Sequence, residues 1–377
     1  MLNGIIPFYT PFNRLLVRSK GCCLYDSDGR EYIDFESGVW CANLGHGHDR
    51  LKALIRRQTE ESIHHGYLFR NRQSEELSGE LARLTGLAGG ASVFLSSGSE
   101  AVNLAITLAR HLTGRKKVLK IDHSYLSAYG FGRISPENED LIEVEFNNLS
   151  SSGHIDFDTL AAFVVETGGA SIGIIRFPGT GFIQQLIDRC RKHHCPVIAD
   201  EVTTGMGRTG AWFGYQHYDF LPDMVVTGKG LGNGFPVSGL TISAALAQQF
   251  TPAAFRYAQS HQNDPLGCAI GREVIKIIEE DDLIKGCNTA GSYFREALEQ
   301  LLSLHQDKIK EVRARGLMLG LEFHKNINGG KNHELLFEKG FVTGFRMNTL
   351  RFLPPLTIGM HQIDRFTDTL NQILGEK

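Results

Sequence analysis

The 377-residue sequence has no run of 18 or more apolar residues, which excludes a helix long enough to cross a membrane. It also lacks a long basic stretch, and its formal net charge is -3. Nucleic acid and anionic membrane surfaces are therefore poor candidates for its main partner. Cysteine is sparse and unpatterned: Cys22, Cys23, Cys41, Cys190, Cys195, Cys268 and Cys287 include no CxxC pair and no other zinc spacing. That excludes a disulfide framework and points to reduced thiols. The opening MLNGIIPFYTPFNRLL has no basic, apolar and small-residue regions in secretory order, so a cytoplasmic protein is expected. The histidine pairs His46 and His48, His64 and His65, and His193 and His194 are read as solvated residues on loops or helix faces. No metal site is expected from them.

What is present suits a soluble globular chain: 42% hydrophobic and 21% charged residues, with length for one large core and a smaller second one. Residues 91–95, 117–121 and 162–165 read as strands, and the wholly apolar runs 197–199 and 224–226 read as strands buried on both faces of a parallel sheet. Helical patterns lie between them, after residue 99 (Ala101, Leu104, Ala105 and Leu108 on one stripe) and over 182–194. Strand-helix succession with short connections predicts right-handed crossovers and an α/β fold with a mostly parallel sheet. Beyond residue 257 the texture changes to long helices over 268–280 and 282–305, followed by a strand pair around 316–323. The expected division is a large domain at 46–257 and a smaller α+β domain formed by 1–45 together with 258–377.

Ligands of open α/β sheets sit beyond the carboxyl ends of the strands, and unusual polar residues fall at those ends here. Ser97-Gly98-Ser99-Glu100 joins a strand to a helix, so its N–H groups form an anion site that glycine lets a phosphate approach. Asp200 closes the apolar run before it, and a carboxylate there needs a cation or donors. Lys229 closes the other apolar run and leads into Gly230-Leu231-Gly232-Asn233-Gly234. A lysine buried behind a strand and wrapped in glycines suits an amine that bonds covalently to an aldehyde. A phosphate-binding P-loop is excluded because Gly230 follows where Ser or Thr is needed, and Asn233 breaks a GxGxxG pattern.

With these motifs the sequence resembles the class-III aminotransferases, pyridoxal-phosphate (PLP) enzymes of fold type I, over nearly its whole length. The resemblance rests on LYDSDGREYIDF and LGH near the start, FLSSGSEAVNLAITLAR, IADEVTTGMGRTG continuing to PDMVVTGKGLGNGFPVSGL, and VRARGLMLGLE and LRFLPPL near the end. It implies PLP held as a Schiff base on Lys229, with Asp200 on the pyridine nitrogen and Ser97, Gly98 and Ser99 on the phosphate. It further implies that Val202 packs on one ring face, that Glu166 and Thr203 belong to the cofactor site, and that Arg351 takes a substrate carboxylate. Ser260 stands where relatives bind the phosphate of the neighbouring subunit, which implies a homodimer with a shared site. The implied substrates are a small-molecule amino donor and a 2-oxo acid.

The chain departs from that pattern at several points. Asp122 occupies the position of an aromatic ring that stacks on PLP, leaving His123 or Tyr125 for the role. Thr203 replaces a longer glutamine. Relatives that alternate between ω-amino donors and 2-oxoglutarate neutralise the substrate arginine with a glutamate, and the matching position here is Ser171. Substrate choice is expected to involve Trp40 and Tyr67. An aminomutase, racemase or decarboxylating enzyme on the same scaffold, and a non-catalytic PLP-binding protein, remain alternatives, because PLP fixes the electron sink but not which bond breaks.

Overall fold

A computed structural model describes residues 4–6, 8–133, 138–168, 174–250 and 255–376. Local sequence explains the elements that frame the site. Helix Gly98–Thr113 starts at a capping box, in which Ser97 caps Glu100 and Glu100 reaches back to the backbone of Ser97, and it ends at Gly114 with φ 67°. Its stripe of Ala101, Leu104, Ala105 and Leu108 is buried against the sheet as the spacing predicts. Strands Val197–Asp200 and Met224–Thr227 are buried at every position, the signature of a sheet covered on both faces. Pro265 opens helix Pro265–Glu280 at a position where no amide donor is needed.

Among the described residues the main sheet has seven strands, in the spatial order Ala91–Leu95, Ser238–Ile242, Met224–Thr227, Val197–Asp200, Leu160–Val165, Lys117–Ile121 and Leu141–Val144. Five neighbouring strands, from Met224–Thr227 to Leu141–Val144, run parallel. Ser238–Ile242 runs antiparallel to both its neighbours and so restores Ala91–Leu95 to the common direction. This strand, with Ser, Gly and Thr among its five residues, has no apolar run to betray it in the sequence. Its glycine sits in a tight place, since a Cβ at Gly239 would stand 3.1 Å from Thr227 Oγ1 and 3.2 Å from the Phe94 ring.

The geometric result is one functional edge. The carboxyl ends of Ala91–Leu95, Lys117–Ile121, Leu160–Val165, Val197–Asp200 and Met224–Thr227 all reach it, and Ser238–Ile242 begins there.

Two smaller sheets complete the fold. Leu16–Lys20, Cys23–Asp26 and Glu31–Asp34 form a meander whose last strand pairs in parallel with Phe341–Val342, joining the start of the chain to its end. The strand pair expected around 316–323 is a hairpin of Ile309–Arg315 and Met318–Phe323 turning at Gly316. Met318–Phe323 then pairs with Thr349–Phe352, which pairs with Gly344–Arg346. Helices Asp49–Glu61 and Arg72–Leu84 pack on Pro265–Glu280, and a continuous core runs from Leu51, Leu77 and Ile270 to Phe294, Phe352 and Phe366. Among the described residues no helix is long and apolar enough to cross a membrane.

Candidate active site

A cavity of 540 Å³ opens at the functional edge, lined among others by Trp40, Ser97, Gly98, Ser99, Tyr125, Asp200, Val202 and Lys229. Lys229 follows strand Met224–Thr227 through Gly228 and adopts φ 40°, a left-handed backbone that a lysine holds only under constraint from its surroundings. The constraint is visible in its glycines. A Cβ at Gly230 would lie 2.6 Å from Asn43 Nδ2, and one at Gly232 would lie 2.0 Å from the Phe235 carbonyl. Lys229 Nζ sits 4.5 Å from the centroid of the Trp40 ring and has no hydrogen-bond partner among the described residues. Burial pushes its pKa down, while Glu166 and Asp200 pull it back up. A lysine amine facing the cavity with its pKa lowered is suited to act as a nucleophile.

Asp200 ends its strand at the cavity wall, 5% exposed. Its Oδ1 accepts a hydrogen bond from Val202 N at 3.2 Å, and no hydrogen bond from a described residue reaches Oδ2. Burial, with Glu166 nearby, pushes its carboxyl above the usual carboxylate range. A carboxyl at the cavity wall whose Oδ2 takes no hydrogen bond from a described residue is placed to accept a donor or cation from a ligand. Glu166 accepts from Tyr125 N at 3.3 Å and from Thr203 Oγ1 at 3.2 Å. Glu166 and Thr203 do not line the cavity; they stand behind it.

At the Ser97 turn, Glu100 Oε2 accepts from the N–H groups of Ser96 and Ser97, each at 2.9 Å. The first-turn N–H groups of Gly98 and Ser99 have no partner within the helix and lie at its positive end. A Cβ at Gly98 would stand 2.7 Å from Val202 Cγ1, so the residue must be glycine for the turn and Val202 to meet. An anion cradle, a buried carboxyl and a lysine whose Nζ, like the carboxyl's Oδ2, has no hydrogen-bond partner among the described residues therefore share one cavity, a donor set that fits PLP.

Of the two ring-stacking candidates, Tyr125 lines the cavity, whereas His123 is exposed, has φ 59° and does not. Asp122 is committed elsewhere, to an ion pair with Arg176, whose guanidinium also covers the Phe146 ring at 4.1 Å. Ser260 is exposed and apart from this chain's own cavity, but its neighbour Gln259 bonds Ser96 Oγ at 3.3 Å and Glu100 Oε1 at 3.2 Å. Tyr67 is exposed and outside the cavity. Ser171 lies outside the described residues.

Arg351 does not line the cavity; it sits behind Trp40, with its Cζ 5.0 Å from the ring centroid, and pairs with Glu36 at 3.5 Å. Glu36 and the lining residues Tyr9, Cys41 and Phe235 to Val237 escaped the sequence reading. The described groups near enough to share a metal ion are His64, His261 and Asp264, away from this cavity; both histidines hydrogen-bond Asp264, at 2.5 and 2.6 Å.

The model of the aminotransferase class-III family matches residues 7–131 and 128–374. The chain is 33% identical to the acetylornithine aminotransferase of Aquifex aeolicus over 95% of its own length and 96% of that protein's. It is 32% identical to the acetylornithine aminotransferase of Caldanaerobacter subterraneus over 98% and 96%. Its fold superposes on the ornithine aminotransferase of Toxoplasma gondii, solved with PLP at partial occupancy in the active site, with a TM-score of 0.90 at 24% identity over 99% and 92% of the two chains. The chain belongs to the class-III aminotransferase family. It is a PLP-dependent aminotransferase, moving an amino group from an amino donor to an oxo acid.

Proposed function

We propose that Lys229 is the covalent attachment point of PLP and the base of the reaction, and that the enzyme takes the terminal amine of an ornithine-like donor and passes it to a 2-oxo acid. The observation that supports this most is Lys229 itself, half-buried in the cavity wall at the functional edge, with a lowered pKa and no hydrogen bond from a described residue. When bound, PLP supplies a sink for the electron pair left on the donor carbon as its proton departs.

The chain's own residues do the rest. Lys229 Nζ, which faces the cavity without a hydrogen-bond partner among the described residues, would take the proton from the donor carbon. Asp200, through its Oδ2, would pair with the pyridine nitrogen and keep it protonated. The N–H groups of Gly98 and Ser99, with Ser97, would hold the phosphate at the helix start. Val202 and Tyr125, which line the cavity, would hold the ring, and Glu166 with Thr203 supports the wall behind it. Arg351 receives the carboxylate of the oxo acid through its planar fork.

Ser260, exposed and apart from its own cavity, would serve the site of a second copy, making the active unit a homodimer. Residues 46–257 would form the cofactor domain, with 1–45 and 258–377 as the smaller one. The free thiols of all seven cysteines suit a cytoplasmic enzyme. The acetylornithine specificity of the relatives at 33% and 32% identity supports the terminal-amine donor.

The test mixes the PLP-loaded enzyme with N-acetylornithine, ornithine and α-amino acids in turn, without any oxo acid. The long-wavelength absorbance of the lysine-linked cofactor should fade with the terminal-amine donors and give one keto product per subunit. Persistence of that band with every terminal-amine donor would overturn the reading.

A further inference from the structure

Arg351, the group proposed to receive a substrate carboxylate, already faces a carboxylate of its own chain. Glu36 Oε2 lies 3.5 Å from Arg351 Nη2, and both side chains are 12% exposed. The pair spans 315 positions of sequence. Its fit is close: Arg351 lies in register between Gly320 and Gly344 on the two neighbouring strands. A Cβ at Gly344 would stand 2.2 Å from Glu36 Oε1 and 2.6 Å from Arg351 Nε, so only glycine leaves room for the pair.

Trp40 links this pair to the cavity. Its indole Nε1 donates to Glu36 Oε2 at 3.1 Å, and its ring stands 5.0 Å from Arg351 Cζ and 4.5 Å from Lys229 Nζ. The ring is held by a run of four left-handed residues, Ser37 to Trp40, with φ of 48°, 57°, 61° and 68°. Such a run persists only under local constraint. The constraints are Ser37 Oγ donating to Leu353 O at 2.5 Å, and Asp34 accepting from the N–H groups of Glu36 and Gly38, each at 2.8 Å. Glu36 itself is less tightly fixed, because its buried Oε1 accepts no hydrogen bond among the described residues.

We infer that Glu36, held by Trp40, is a positioning residue that decides which substrates Arg351 accepts. Two carboxylates cannot share one guanidinium in a buried site without mutual repulsion. With Glu36 in place, Arg351 is neutralised, and the site favours a donor whose reacting carbon bears no carboxylate. A 2-oxo acid is accepted only by drawing Arg351 away from Glu36 and moving the Trp40 ring that screens it. The inference rests on the transamination reading above and adds to it the residue that separates the two substrate classes.

Glu36→Gln keeps the shape and an acceptor for the Trp40 indole while removing the charge. In the PLP-loaded enzyme, the KM for 2-oxoglutarate should fall about tenfold and the inhibition constant of unreactive glutarate should fall with it, a gain of about 1.4 kcal/mol. At the same time kcat/KM for the terminal-amine donor should fall and kcat should stay within about twofold, since no reacting group is touched. Trp40→Phe, which removes the indole donor but keeps an aromatic ring, should shift the same constants in the same direction by a smaller factor, and it serves as the test if Glu36→Gln folds poorly. Unchanged KM and glutarate constants, or an equal loss for both substrate classes with a lowered Tm, would make the pair a purely structural ion pair and overturn the inference. Glutarate binding measured by calorimetry reads the pair even if no donor reacts, so failure of the transamination reading is distinguishable from failure of this one.

Discussion

The two sides of the cavity are built in different ways. On the cofactor side, Ser97, Asp200 and Lys229 each stand within two residues of a strand end, and the sheet alone brings them to one edge. On the substrate side, Glu36, Trp40 and Arg351 come from the start and end of the chain and meet only because Glu31–Asp34 joins the C-terminal strands. The cofactor side presents groups with unused valences: a lysine and a carboxyl oxygen lacking partners from described residues. The substrate side presents a closed pair. A site that always holds the same cofactor can be preorganised, whereas a site that takes two different substrates in turn must be able to change its charge.

The largest effect should come from the cofactor side. Lys229→Ala should lower kcat by about 10³-fold or more, since both attachment and proton transfer depend on that amine. A single-turnover assay with the donor checks it, and a mere tenfold loss would break the contrast between the two sides. Asp200→Asn keeps the shape but withdraws the charge that holds the ring proton, and should cost about 10²-fold in kcat, read from initial rates. Gly98→Ala pushes a methyl into Val202, which would be 2.7 Å away, and should weaken cofactor affinity about tenfold by equilibrium dialysis.

These cofactor-side groups were legible for a physical reason. A charged residue that closes a wholly apolar run violates the pattern around it, so Asp200 and Lys229 stand out in any reading of the sequence. Glu36 does not: in Phe35-Glu36-Ser37 it looks like an ordinary polar residue after a strand, and its partner Arg351 stands 315 positions away. His123 shows a similar limit, since its motif marks the loop, yet the residue is exposed and does not line the cavity. Strand Ser238–Ile242 was hidden because its burial comes from its neighbours and not from its own composition.

Smaller effects sharpen the comparison further. Stripping the cofactor should leave the fold intact and lower Tm, because PLP at a hundred times its Kd adds about 2.7 kcal/mol of stability, which differential scanning calorimetry measures. The loss should be greater in the wild type than in Gly98→Ala. The smallest effect is expected for Ser260→Ala, which removes one hydroxyl contact proposed to reach the partner's phosphate, worth about 1 kcal/mol. In mixed dimers of Ser260→Ala with Lys229→Ala the intact Lys229 site faces the intact Ser260 of the other subunit, so that site should recover the cofactor affinity that the Ser260→Ala homodimer loses.

The most direct test of the account is to incubate the protein with PLP, reduce it with borohydride and locate the modified residue by peptide mass mapping. A single pyridoxyl group on the peptide containing Lys229, absent when an amino donor is added first, is the predicted result. Modification of a different lysine, or none at all with a spectroscopically loaded enzyme, would contradict it.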